Sequence, residues 1–355
     1  LYSKRNFRIF TDAVTPRNLL EHLARARGSE TSDALNLMAR EGRAKDLAHC
    51  YALSDPPSVP CARACWRVLP EMWRTLVANG RMQLFLIENR AKPLGSRIVA
   101  FGATVFVTDE FCYEARSTSP PYLGLRVAQH YFAHNLPVLS REEIARANAR
   151  NGLNVMMCFG GSEQAGLSRE EILAVREKQS EAFHLAHSGY RVKEFLADPI
   201  GEKELGWMLD AGAHLRRDYS DYFQGHGMPI PESSLRPWLV GLTKEEALAN
   251  PGSHLSSLFV NTLPRFHFNH SEQLLLHHAL MGETCEELAA SLSISRWTVK
   301  KRWHAIYERV ADIDRELLRP PVANGRDSRS RGAERRRHLL HYLRQHLEEL
   351  RPLSR

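Results

Sequence analysis

Several things that would place this chain outside the cell or in a membrane are missing from it. No apolar run is long enough to span a bilayer, and no secretory leader pattern is present. The six cysteines form no C-x-x-C pair and no secreted-type framework. Cys61 and Cys65 stand four apart without a matching second pair, so ordinary reduced thiols are expected there rather than zinc ligands. There is no Walker loop, no dinucleotide fingerprint and no G-x-S-x-G. Those gaps exclude the common P-loop, nicotinamide and serine-hydrolase chemistries. A cytoplasmic protein without a membrane partner is the expectation.

What is present is a globular composition. The 355 residues are 43% hydrophobic and 25% charged, enough for two or three domains. Net charge is +7, with a pI near 9.2. Much of the basic excess lies after Arg296, which is compatible with an anionic partner.

Residues 1–80 read as a helical segment, with helices over Asn18–Arg27 and Ser32–Arg43. Trp66, Leu69, Trp73 and Leu76 then give a helical stripe, read as core. From Gln83 the period changes. Gln83–Glu88 and Arg97–Val107 look like the two strands of a hairpin, and Gly102 suggests a bulge or a close approach. Helices follow at Leu123–His134 and Ser140–Arg150. Asn154–Phe159 is a short strand running into Gly160-Gly161. Ser168 with Glu171 caps a long helix to Ser188. Tyr190–Ala197 is a strand, Glu202–Asp218 a helix, Trp238–Leu242 a strand, Lys244–Ala249 a helical turn, and His254–Val260 a last strand. The expected fold class is an α/β (α+β) N-terminal region with a C-terminal all-α helix-turn-helix domain. The expected divisions are 1–80, 81–262, 263–318, a linker at 319–333, and a basic amphipathic helix at 334–355.

The C-terminal stretch Phe268–Val310 carries the clearest local signals. Asn269 with Glu272 and Thr284 with Glu287 are capping boxes, and Ser295 is a third N-cap. Val299, Trp303, Ile306 and Val310 recur on one face of the last helix. This stretch resembles the LuxR-type helix-turn-helix of transcription regulators. The resemblance is carried by Glu272, Gly282, Glu287, Leu288, Ala289, Leu292, Ile294, Ser295, Thr298, Val299, Lys300, Ile306 and Tyr307. Ser293, His278, Trp303 and Arg302 depart from that pattern. The resemblance implies DNA binding by Ser295, Arg296, Thr298, Lys300, Lys301 and Arg302, with double-stranded DNA as partner, a homodimer, and a small-molecule effector of the N-terminal region.

The middle of the chain bears a second likeness. Its order of hairpin, strand, glycine turn, long helix, strand and helix resembles the GNAT N-acetyltransferase fold. In that fold the helix after the fourth strand holds an acyl-CoA pyrophosphate at its N-terminus. The resemblance implies acyl-CoA as cofactor, with Gly160, Gly161 and Gly166 as the residues near it, and Glu163 opposing an anion.

No catalytic residue and no metal site stand out. His130 and His134 share a face of the expected helix without a third ligand. His184 and His187 share one too and are read as solvated. Asp109, Glu110 and Asp198 are isolated carboxylates. The first expectation for function is therefore a DNA-binding transcription regulator with a sensor domain. The alternative is an acyl-CoA-dependent N-acetyltransferase-like enzyme carrying a DNA-binding module. Leu340, Leu343, Leu347 and Leu350 recur like a short a/d seam, either packed on their own chain or added to a dimer interface.

Overall fold

The computed structural model describes residues 35–54, 66–318 and 328–354. The expected helix at 18–27, Cys61, Cys65 and most of the expected linker lie outside them.

Seven strands form one sheet in the order β1-β2-β3-β4-β5-β7-β6. They are β1 Leu37–Glu41, β2 Met82–Asn89, β3 Ile98–Val107, β4 Leu153–Ser162, β5 Val192–Ala197, β6 His214–Arg217 and β7 Leu239–Thr243. The helices, in chain order, are α1 Leu47–Ala52, α2 Leu69–Ala78, α3 Asp109–Ser117, α4 Leu123–Phe132, α5 Arg141–Ala149, α6 Arg169–His187, α7 Glu202–Asp210, α8 Ser220–Gly225, α9 Lys244–Ala249, α10 His270–Leu280, α11 Cys285–Ser291, α12 Arg296–Ile313 and α13 Ser328–Gln345.

Strand alternation divides the core into two layers. Leu84, Leu86, Phe101, Ala103, Met156 and Leu196 point to one face, which α1 to α4 and α8 cover. Phe85, Ile87, Val99, Val155, Phe195 and Ala197 point to the other, against α5, α6, α9 and residues 255–259. Sheet strands covered on both faces become nearly continuous apolar runs, as β2 and β3 are. Gly102 is required by packing within the sheet. A Cβ there would lie 2.2 Å from the Phe85 ring, so the close approach is made by its own chain.

All neighbouring strands are antiparallel except β4 and β5. α6 joins that parallel pair, as a crossover must. Ser168 accepts from the Glu171 amide at its start, the expected capping box, and Gly189 with φ +82° follows its end.

A third core belongs to the C-terminal helices. Leu275, Leu276, Leu288, Val299, Trp303, Ile306 and Val310 pack with Leu339, Leu340 and Leu343 of α13. The three expected N-caps, Asn269, Thr284 and Ser295, all accept amide hydrogen bonds as anticipated. The tail leucines are therefore placed on their own chain.

Several expectations are corrected. Leu37–Glu41 is an edge strand, not part of a helix over 32–43. The helix expected over 202–218 stops at Asp210, because Gly212 at φ +105° turns the chain into β6. Residues 255–259 form a 3-10 helix in place of the expected strand. α4 ends at Phe132 and His134 lies beyond it at φ +55°, so His130 and His134 do not share a helix face. His184 and His187 are buried against the sheet, not solvated. Gly160 and Gly161 lie inside β4, opposite Gly102 and Phe101, and form no turn.

Candidate functional site

In open sheets, ligand sites gather at the carboxyl ends of parallel strands. Here the β4–β5 pairing ends at Met156 and Leu196, one residue before β5 stops, while β4 continues to Ser162 along β3. Past Met156 the β5 side of β4 is taken up by the start of α4. A Cβ on Gly124 would fall 2.2 Å from the Cys158 carbonyl oxygen, so only glycine permits this approach.

Asp198 follows β5 directly, and its Oδ2 accepts from the Leu123 amide at 2.6 Å. Carboxylates at helix N-termini are favoured by the orphan amides and the helix dipole. The residue is half-buried, but its carboxyl faces inward onto the fully buried Leu123. Desolvation there pushes the carboxyl up to about 7, outweighing the amide bonds that favour its charge.

Tyr219 lies beside it, fully buried and held at φ +58°. Its hydroxyl finds no hydrogen-bond partner. Burial raises the phenol strongly, with the Asp198 charge as the next cause. The Arg217 guanidinium stacks over the Tyr219 ring at 5.0 Å and donates to the Ser119 carbonyl oxygen at 2.7 Å. The Ser119 hydroxyl and the Arg126 Nε are also buried without partners. Unpaired buried polar atoms are costly, and their clustering is a feature of sites that receive polar groups. Burial pushes the Cys158 thiol up, which disfavours the nucleophilic thiolate.

The expected residues fall elsewhere. Gly166 sits at φ +80° in an exposed turn before α6, with open space around it. Glu163 pairs with Lys92 at 2.7 Å. The Ser168–Glu171 box occupies two amides at the start of α6, and Glu170 adds a further negative charge in that turn. Gly161 serves the close passage of Leu53, whose carbonyl oxygen lies 2.3 Å from the position of a Cβ. These residues do not form the anion cradle that a pyrophosphate needs.

On α12, Ser295, Arg296, Lys300 and Lys301 are exposed, and Thr298 and Arg302 are half-buried. Arg296 is paired with Glu286, and Lys301 lies 5.3 Å over the exposed Trp297 ring. Among the described residues, no group of three or more His, Cys, Asp or Glu side chains could hold a metal ion. Among them too, no helix is long and apolar enough to cross a membrane.

No family model and no curated protein matches the chain. Solved structures resemble part of it, among them the following three. The C-terminal condensation domain of Ebony, in complex with beta-alanyl-dopamine, is 12% identical with a TM-score of 0.38, covering 59% of this chain and 99% of its own. Mutant forms of the spermidine/spermine N-acetyltransferase SpeG from Vibrio cholerae give 8% and 0.33, covering 61% and 98%. FdhC, a nucleotide-linked sugar GNAT, gives 8% and 0.33, covering 61% and 91%. At these values the likenesses carry no argument about activity. The seven-stranded sheet, with its parallel pair joined by a long helix, follows the order of strands and helices expected for the middle of the chain.

The reading as a DNA-binding transcription regulator is corrected. None of the solved structures reported above is described as a LuxR-type regulator. The physical reason lies in the residues that carried the resemblance. Asn269, Glu272, Thr284, Glu287 and Ser295 cap helices, and Leu288, Val299 and Ile306 fill a core. Any compact three-helix corner needs such residues, so they specify a shape rather than a partner.

Proposed function

We propose that the sheet domain is an N-acyltransferase-like enzyme domain that passes an acyl group to an amine at the carboxyl end of β4 and β5. The observation that carries this reading is Asp198, a carboxyl raised to about 7, beside the partnerless Tyr219 hydroxyl at the end of the parallel pair. A base poised near neutrality is suited to taking a proton from an ammonium or attacking amine. The new N–C bond forms as the bond from the acyl carbon to its leaving group breaks. Asp198 takes the proton from nitrogen and passes it to the leaving group, while the Tyr219 hydroxyl, kept protonated by its burial, donates a hydrogen bond to that group. Ser119 and Arg126 supply donors for the polar atoms of the substrate.

Acyl-CoA is the donor class that the resemblance implies. Because the turn before α6 lacks an anion cradle, no step is assigned to the nucleotide end of such a donor. The test is acyl transfer by the purified full chain, from acetyl-CoA and from acetyl-pantetheine, to a panel of amines read by mass spectrometry. Acylated product is expected from wild type, with a loss of about 10²–10⁴ in rate for Asp198→Asn. A folded protein that acylates no amine from either donor would overturn the reading.

A further inference from the structure

A second site lies away from the sheet mouth, in a cavity of about 330 Å³ under the C-terminal tail. Arg309, Arg351, Glu349, Gln273, Phe268 and Leu353 contribute to its wall. We infer that this cavity binds a small organic anion, a monocarboxylate with a compact apolar body. The inference is independent of the acyl-transfer reading.

The tail closes the cavity by bonds to the sheet domain. Arg351 donates from Nε to the Ser188 carbonyl oxygen and from Nη2 to that of Leu185, both at 2.9 Å. Its guanidinium also stacks on Tyr190 at 4.8 Å. Asn148 donates to the Pro352 carbonyl oxygen at 2.9 Å, and the Ser354 amide to that of Ala145 at 3.0 Å. The Gln273 side-chain amide holds the Arg351 carbonyl oxygen at 2.9 Å from the other wall.

Charge selects the ligand. Arg351 is only 6% exposed, and the partners named above are neutral carbonyls and a ring. A buried guanidinium so held keeps an unneutralised positive charge. Arg309 adds a second cation. That charge is paired with the buried Glu272 carboxylate, to which Nη2 donates at 3.3 Å. Its Nε, 3.2 Å from the same carboxylate, is not aligned as a hydrogen bond and remains an unused donor. The unneutralised charge is therefore that of Arg351. The one carboxylate in the wall is occupied. Glu349 accepts from the Arg265 and Phe266 amides, each at 2.9 Å, and from the Tyr342 hydroxyl at 3.2 Å. Burial raises its pKa, which further weakens its opposition to an anion. Phe268 and Leu353 supply the apolar part of the wall, and the volume falls within the range of small-molecule sites.

The test is calorimetric titration of the full chain with benzoate, with benzyl alcohol as the neutral probe of similar shape. Saturable binding of benzoate is expected, about ten-fold or more tighter than benzyl alcohol, as for the loss of a charge-assisted hydrogen bond. Leu353→Trp, which fills the cavity, should abolish the benzoate heat without changing the far-ultraviolet circular dichroism. Leu353→Phe serves the same purpose if the larger residue prevents folding. Absence of saturation by benzoate, equal affinity for the two probes, or unchanged benzoate binding in a folded Leu353 variant would each overturn the inference.

Discussion

The Leu123 amide and the Asp198 carboxylate are 75 residues apart in sequence and 2.6 Å apart in space. That one bond ties the start of α4 to the end of β5, beside the place where β4 and β5 cease to pair. The same carboxylate is both a helix cap and the proposed base.

Its titration sets a first expectation. The folded value, about 7, lies above the ordinary 3.8, so the folded protein holds a proton that the unfolded chain releases across that window. The contribution of Asp198 to stability is fully present below about 3.8 and is lost as pH rises through about 7. Asp198→Asn keeps an acceptor for the Leu123 amide but cannot ionise. Thermal melts from pH 5 to pH 8 should show the wild type losing stability relative to the variant. Parallel curves would refute the burial of this carboxyl.

His187 has the opposite sign. Its Nε2 lies 2.8 Å from the Thr104 hydroxyl, and its Nδ1 donates to the Phe183 carbonyl oxygen at 2.7 Å, which together satisfy the neutral ring. Burial lowers it to about 3 from 6.5. The unfolded chain therefore takes up a proton first, and stability from this group is lost as pH falls from about 6.5 towards 3. His187→Gln should flatten the acid limb of the stability curve, read by denaturant titration at several pH values.

Gly124 faces backbone rather than a flexible side chain. A methyl group at this position would stand 2.2 Å from the Cys158 carbonyl oxygen, so Gly124→Ala must displace α4 from the sheet. A loss of about 1–3 kcal/mol, typical of overpacking, is expected in urea unfolding. An unaltered midpoint would show that the approach of α4 is looser than described.

The C-terminal corner rests on Trp303, which is 6% exposed, stacks with Tyr307, and has the Arg336 guanidinium 4.9 Å over its ring. Trp303→Ala should cost about 3–5 kcal/mol, as large aromatic truncations do. Because α13 packs in the same core, Leu343→Ala should also destabilise the corner, by about 2–5 kcal/mol. Either variant melting like wild type would separate the tail from that core.

The legible parts of the chain were those specified by neighbours in sequence. Ser168 with Glu171, Asn269 with Glu272 and Thr284 with Glu287 are local devices, and each capped a helix where its spacing required. The site was not local. Asp198, Tyr219, Ser119 and Arg126 come from four separate segments, and singly each resembles an ordinary surface or core residue. The nearest sequence signal was Ala197-Asp198-Pro199, an acidic residue closing a strand before a break. Gly160-Gly161 misled because two adjacent glycines suit a turn and also suit a strand against which another backbone passes closely. Residues 254–260 misled because the apolar run Leu258-Phe259-Val260 suits a strand, while the observed packing of Leu255, Leu258 and Phe259 on the sheet is made by a 3-10 turn.

The most direct test of the central claim is the pH dependence of amine acylation by wild type and by Asp198→Asn, followed by mass spectrometry of the product. With Asp198 as base, wild-type rate should rise through about pH 7 to a plateau, and the variant should lose about 10²–10⁴ of that rate. A variant that acylates as fast as wild type, with the same pH profile, would contradict the account.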